Sequence, residues 1–392
     1  MQNNKNNTFI QNPAPDIVVT GIGLLSCLGS LQTTWSNILQ GKSGIKLQQL
    51  FPQLPVYPLG LIGSKASKID DLTQKILADT LQDAELQPPL NQCGVVIGSS
   101  RGCQGIWEKL ASRFASTNGE IFSDRADWLQ TLPHQPAIAT ARSIQTSAPV
   151  LAPMAACATG IWALARGYEL IKTSRCERVI VGTVEAPITP LTLAAFERMG
   201  ALATTGCYPF DSRREGLVLG EGGAMFVLET AELARSRSAK IYGRILGFGL
   251  TCDAYHISAP QATNGSAARA IKQALEQSNL EPTDIDRIHA HGTSTALNDR
   301  HEAQLIQHIF PQKVAVSSTK GAMGHTLGAS GAINVALTLM EMKHNYLLPC
   351  VGLIDSEFDL DLVTQPRKKQ VHHAMCFSFG FGGQNAVITL SK

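Results

Sequence analysis

Apolar and polar positions fall into two successive sets of short apolar runs and longer amphipathic ones. Residues 17–19 form an apolar run entering T-G-I-G, which predicts a buried strand ending in a glycine turn. Residues 95–97 repeat the pattern and end in G-S-S-R-G (98–102). A third apolar segment leads to Cys157, an apolar helical stretch follows at 161–171, and 179–181 is a strand ending in G-T-V-E-A. Apolar strands alternating with helices predict a layered α/β chain with largely buried sheets.

The pattern then restarts. Residues 240–248 resemble an opening strand, and 267–277 predict an amphipathic helix with Ala267, Ala270, Ile271, Ala274 and Leu275 on one face. A strand at 287–290 delivers His291, one at 314–317 precedes Lys320, and 329–342 is a helix rich in small residues. Two such sets predict an internal duplication with its boundary near Ser238. The expected organisation is a loose tail over 1–15, a first half over 16–238 and a second over 239–392.

Composition narrows the class. A chain of 392 residues suits two packed halves, and 44% hydrophobic against 16% charged residues implies a large buried interior. A net charge of +2 gives no reason to expect nucleic acid or an anionic membrane as the main partner. Nine cysteines without a C-x-x-C pair fit a reduced, cytoplasmic protein, with neither a disulfide framework nor a zinc site. The Asn- and Gln-rich start lacks the apolar core of a signal peptide. Residues 142–166 carry charge only at their ends, but Pro149, Pro153 and Gly160 interrupt them, so no membrane span is expected.

Chemistry concentrates in three segments: A-A-C-A-T-G (155–160), H-G-T-S-T (291–295) and S-S-T-K-G-A-M-G-H (317–325). They supply a thiol, Cys157, two imidazoles, His291 and His325, and Lys320. Cys157 precedes a helix, whose dipole and free N–H groups favour thiolate. A thiol nucleophile with two imidazoles can take an acyl group onto sulfur and then support carbon–carbon bond formation. Lys320 needs a carboxylate if buried. Glu302 is expected to pair with it. For Asp299, pairing with Lys320 and capping of a helix at 300–310 stand equal. The G-K-S at 41–43 lacks the upstream glycine of a P-loop, and no G-x-S-x-G elbow is present.

These segments resemble those of the elongating, Cys-His-His type of β-ketoacyl-acyl-carrier-protein synthase, a thiolase-fold family. V-V-T-G-I-G (18–23), G-K-S-G-I (41–45), Y-P-F-D (208–211), G-L-V-L-G-E-G-G-A (216–224), D-A-Y-H (253–256) and S-F-G-F-G-G-Q-N (378–385) extend the likeness from about residue 16 to the C-terminus. The resemblance implies a duplicated five-layered α-β-α-β-α fold and decarboxylative condensation of an acyl group on Cys157 with malonyl-carrier. By the same resemblance, the N–H groups of Cys157 and Phe381 form the oxyanion hole, and His291 and His325 donate to the malonyl thioester oxygen. Thr293 and Thr295 contact the phosphopantetheine arm, Phe381 gates the acyl pocket and Phe196 lies near it. No metal or soluble cofactor is implied, since the 4′-phosphopantetheine belongs to an acyl carrier protein partner, and a homodimer is expected.

The chain departs from the family pattern at Arg214-Glu215-Gly216-Leu217 and in a compact segment at 118–148, expected at the pocket lid or dimer face. Arg101 stands where relatives place an apolar residue beside the acyl tunnel, and it either enters the pocket or points to solvent. Arg213, Arg214 and the run at 367–369 are the basic groups available to steer an acidic carrier. Two rival readings remain. One is a thiolase-type enzyme with Cys376 as second cysteine, and the other is a non-catalytic partner subunit that sets chain length.

Overall fold

The computed structural model describes residues 15–116, 128–261 and 265–392. The tail expected over 1–15 therefore lies, apart from Pro15, outside the described residues, as do residues 118–127 of the compact segment. The principal strands are β1 (Ile17–Ser26), β2 (Gly94–Gly98), β3 (Val150–Leu151), β4 (Arg178–Glu185), β5 (Gly222–Thr230), β6 (Gly243–Cys252), β7 (Arg287–His289), β8 (Ala315–Ser317), β9 (Asp361–Leu362), β10 (His373–Gly380) and β11 (Gln384–Ser391). The principal helices are α1 (Ile69–Asp83), α2 (Gln104–Ser116), α3 (Gln135–Ile144), α4 (Thr159–Lys172), α5 (Gly265–Ser278), α6 (Ala296–Ile309) and α7 (Ser330–His344).

The strands join in the order β9-β8-β7-β10-β11-β6-β1-β5-β4-β2-β3. Along β3-β2-β4-β5-β1 the first two pairings are parallel and the last two antiparallel. Along β8-β7-β10-β11-β6 the same sequence of pairings recurs. The two sets meet where Val18 and Val19 of β1 pair with Arg244 and Gly243 of β6.

Strand alternation assigns the layers. Ile180, Met225 and Val227 face an outer core with Ile76 of α1 and Ala141 of α3, while Val179, Val181, Phe226 and Leu228 face the central helices. In the second set Met375, Phe377 and Val387 pack on Ala270 and Ile271 of α5 and Leu305 and Ile306 of α6. The order is helices, sheet, helices, sheet, helices. With both faces covered, no clean polar alternation survives in these strands.

The glycine turn expected after residue 19 does not form. β1 continues through Gly21 and Gly23 because α1 lies against it there. A Cβ on Gly21 would stand 2.5 Å from Ala84 Cβ, and one on Gly23 would stand 2.4 Å from the carbonyl oxygen of Ile76. Those glycines serve helix–sheet contact.

The central layer positions the site. From Ser330 to Met342 every residue of α7 is buried. Helix α4 crosses it at Gly160, where a Cβ would lie 2.4 Å from Ala332 N. The N-terminal ends of α4 and α7 thus abut, bringing the segments just before them together. Among the described residues no helix is long and apolar enough to cross a membrane.

Candidate active site

Cys157 sits on a sharp turn into α4. Ala156 takes a left-handed conformation with φ of 46°. Thr159 fastens the turn, its Oγ1 accepting from Ala155 N at 2.9 Å and donating to Ala156 O at 2.6 Å. Ser378 Oγ donates to Cys157 O at 2.9 Å. Gly380 passes so close that a Cβ there would stand 3.0 Å from Cys157 N. That approach lets the Phe381 N–H reach the sulfur. Cys157 is 7% exposed, and burial pushes its thiol up to about 11 against the opposing pull of Lys320 and the Phe381 N–H. The thiolate expected from the helix end is outweighed by desolvation.

His325 follows Gly324, whose φ is 77°. Its Nε2 lies 3.2 Å from Cys157 Sγ and its Nδ1 2.8 Å from Ser330 Oγ. Ser330 Oγ in turn lies 3.1 Å from Thr326 Oγ1. The His291 ring stands edge-on to His325, with centroids 5.3 Å apart, and 6.0 Å from Phe379. Burial first, then the Lys320 charge, holds both imidazoles well below the usual histidine range. They are neutral at physiological pH. His291 Nδ1 is buried without a hydrogen-bond partner.

Lys320, Glu302 and Asp299 are also brought here, but their contacts correct the sequence expectations. Lys320 Nζ donates to the carbonyl of His291. Glu302 accepts from His291 N at 2.6 Å and Gly292 N at 2.7 Å, so it holds the opposite side of the same peptide stretch instead of pairing directly with the lysine. Both its oxygens face N–H groups exposed by the left-handed turn at Gly292, with φ of 42°. Burial raises Glu302 to about 7 and lowers Lys320, with their mutual attraction opposing both shifts. Asp299 neither pairs with Lys320 nor caps a helix. The cap of α6 is Thr295, four residues earlier, and Asp299 accepts from Phe210 N at 2.8 Å and Ser294 N at 3.2 Å.

A cleft of ≈ 370 Å³ leads down to Cys157, His291 and His325, with Thr293, Thr295 and Phe381 on its walls. The Thr293 and Thr295 hydroxyls lie 2.9 Å apart. Phe381 stacks on Phe196 at 6.0 Å, and the Arg101 guanidinium lies 5.8 Å from the Phe196 ring centroid. Cys376 is fully buried in β10, its sulfur 3.3 Å from Thr338 Oγ1, and it does not line the cleft. The thiolase-type arrangement with Cys376 as second cysteine is therefore not built. Arg213 is held by Asp211, Arg214 by Glu357 and Arg367 by Asp361.

Sequence reasoning missed Ser330, Ser378, Phe379 and Glu185. Ser330 is the first residue of α7, five positions beyond His325, and no local pattern marked it. Ser378 and Phe379 stand inside a quoted motif, but strand alternation alone did not say which of them faces the histidine. The family descriptions Beta-ketoacyl synthase, N-terminal domain, and Beta-ketoacyl synthase, C-terminal domain, match residues 62–234 and 242–353. The chain belongs to the β-ketoacyl synthase family. It is 32% identical to 3-oxoacyl-[acyl-carrier-protein] synthase 2 of Staphylococcus aureus, over 96% of this chain and 98% of that one. Among solved structures, a type II PKS ketosynthase bound to the hexaketide and in complex with its acyl-carrier protein superposes with a TM-score of 0.91 at 28% identity, covering 96% of this chain and 99% of that one. A beta-ketoacyl synthase from Burkholderia phymatum gives a TM-score of 0.87 at 26% identity, with 96% and 99% covered. This family member shares with them the duplicated thiolase-like fold.

Proposed function

We propose that the chain is a 3-oxoacyl-[acyl-carrier-protein] synthase of the elongating type. The observation that carries this reading is the contact of Cys157 Sγ with His325 Nε2 at 3.2 Å, with a second neutral imidazole, His291, beside it. In the loading step the Cys157 proton passes to His325 as the sulfur attacks the acyl-carrier thioester. The N–H groups of Cys157 and Phe381 receive the developing oxyanion. The carrier thiol leaves with a proton from His325, and the acyl group stays on Cys157.

Malonyl-carrier then occupies the cleft, its pantetheine arm along Thr293 and Thr295. The bond to the malonyl carboxylate breaks, carbon dioxide departs and the electron pair enters the thioester enolate. Hydrogen bonds to the enolate oxygen from His291, and from His325 once its ring proton has moved to Nε2 with Nδ1 accepting from Ser330 Oγ, favour that step. The carbanion attacks the acyl carbonyl, Cys157 leaves as thiolate and is reprotonated, and a 3-oxoacyl-carrier two carbons longer is released. Lys320 and Glu302 are positioning residues that clamp the His291 peptide from two sides. The name of the staphylococcal relative and the carrier complex of the ketosynthase neighbour support a carrier protein as the substrate's bearer.

Division near Ser238, cytoplasmic location and homodimerisation belong to the same proposal. The two strand sets that repeat one pairing order support the division. A pairing face is supported by the β3 sheet edge and by α2, which buries none of its residues and leaves Trp107 and Phe114 exposed. Intact-protein mass spectrometry after incubation with acyl-carriers, then malonyl-carrier, tests the function. A mass gain on Cys157 that is discharged as 3-oxoacyl-carrier is expected, and Cys157→Ala abolishes it. No gain from any donor would instead favour the non-catalytic partner subunit.

A further inference from the structure

The loop after β2 is fastened at several points. Glu185 accepts from Ser99 Oγ at 3.2 Å and from the Ser100 N–H, and Ser100 Oγ accepts from Gly328 N at 3.3 Å. Gly102 adopts a φ of 53° against Pro133. The direction of the Arg101 side chain is set by this pinned turn. Its guanidinium lies against Phe196, which stacks on Phe381. Phe196 and Phe381 belong to one apolar cluster with Cys157, Ile188, Leu193 and Leu327. Arg101 is half-buried, and its charge is one of those felt by the Cys157 sulfur.

No hydrogen bond or ion pair joins the Arg101 guanidinium to any described residue. The adjacent Glu185 carboxylate is turned to Ser99 and Ser100. A half-buried cation whose donors are unmatched among the described residues thus stands beside the apolar wall next to the nucleophile. A methyl terminus arriving there would strip water from these N–H groups and replace it with nothing. A carboxylate or carbonyl oxygen would match them, and a carboxylate could do so at two N–H groups together.

We propose that Arg101 is a specificity-determining residue, favouring acyl groups that carry an oxygen acceptor, above all a carboxylate, at the end remote from the thioester. Plain alkyl chains of the same length are disfavoured. This rests on the acyl-enzyme reading above.

The test compares loading of the full chain by carrier-bound hexanoyl with adipoyl, octanoyl with suberoyl, and decanoyl with sebacoyl, followed as mass gain on Cys157. Wild type and the variants Arg101→Met and Arg101→Lys are measured side by side. For at least one pair the wild type is expected to load the ω-carboxyl chain at least about tenfold faster than its alkyl partner. Arg101→Met is expected to reverse that preference and Arg101→Lys to keep part of it. Equal loading of each pair by the wild type, or longer chains of both kinds admitted equally by Arg101→Met, would overturn the inference alone and leave Arg101 a simple spacer. Loading by no donor in any variant would overturn the acyl-enzyme reading, and this inference with it.

Discussion

His325 Nε2 stands 3.2 Å from Cys157 Sγ across a separation of 168 residues. The sulfur is a buried thiol and the imidazole beside it is neutral, so the pair rests uncharged and ionises only as it reacts. Burial, partly opposed by Lys320 and the Phe381 N–H, moves the thiol from 9.0 to about 11. A raised thiol pKa means less thiolate at neutral pH, by about a hundredfold relative to an unshifted cysteine. Alkylation of Cys157 by iodoacetamide, followed by peptide mass spectrometry, should keep rising above pH 9 and be only half-maximal near pH 11. A plateau already reached at neutral pH would show a standing thiolate–imidazolium pair instead.

Ser330 supports the other nitrogen of the same ring. Removing its hydroxyl leaves His325 Nδ1 buried without its 2.8 Å partner, which costs about 1–3 kcal/mol where the ring must be held. Ser330→Ala is expected to lower the loading rate about tenfold or more with little change in KM for acyl-carrier, and Ser330→Thr to recover most of it. A fall in stability with unchanged kcat would mark Ser330 as structural only.

Gly160→Ala tests the helix crossing. The added methyl would meet Ala332 N at 2.4 Å, and backbone on both sides leaves nothing flexible to yield. Urea unfolding should show a loss of about 1–3 kcal/mol. Loading of the folded fraction should fall as well, because separating α4 from α7 separates Cys157 from His325. Wild-type stability together with wild-type loading would refute this account of the site's assembly.

Arg287 and Glu341 form a fully buried ion pair, with a 2.9 Å contact between β7 and α7. Arg287→Met strands a carboxylate in the core and should cost about 3–5 kcal/mol by chemical denaturation. The double variant Arg287→Met, Glu341→Leu should recover most of that, since neither charge then remains buried alone. Equal stability of the single and double variants would show that the charge itself is not the burden.

Much of the architecture was legible because burial leaves its mark on sequence. Residues 95–97 and 179–181 are apolar throughout, and each became the centre of a strand covered on both faces. The helix expected at 267–277 lies within α5, with the same five residues buried. The T-G-I-G segment misled because a glycine marks a tight turn and a close helix contact alike. Asp299 and Glu302 misled for a related reason. Spacing suggested a cap or a counter-ion, while the left-handed turn at Gly292 exposed N–H groups that those carboxylates satisfy.

The sequence by itself determined which segments are buried, where strands hand over to helices, and which side chains are equipped for nucleophilic and hydrogen-bonding chemistry. Those properties are local, set by side-chain type and by period along the chain. Only the tertiary structure decided that Cys157 meets His325, that Lys320 and Glu302 hold one peptide stretch from two sides, and that Arg101 turns onto Phe196. Each of these depends on the close crossing of α4 and α7 and on where backbone N–H groups fall in space, relations between distant segments that no local pattern encodes.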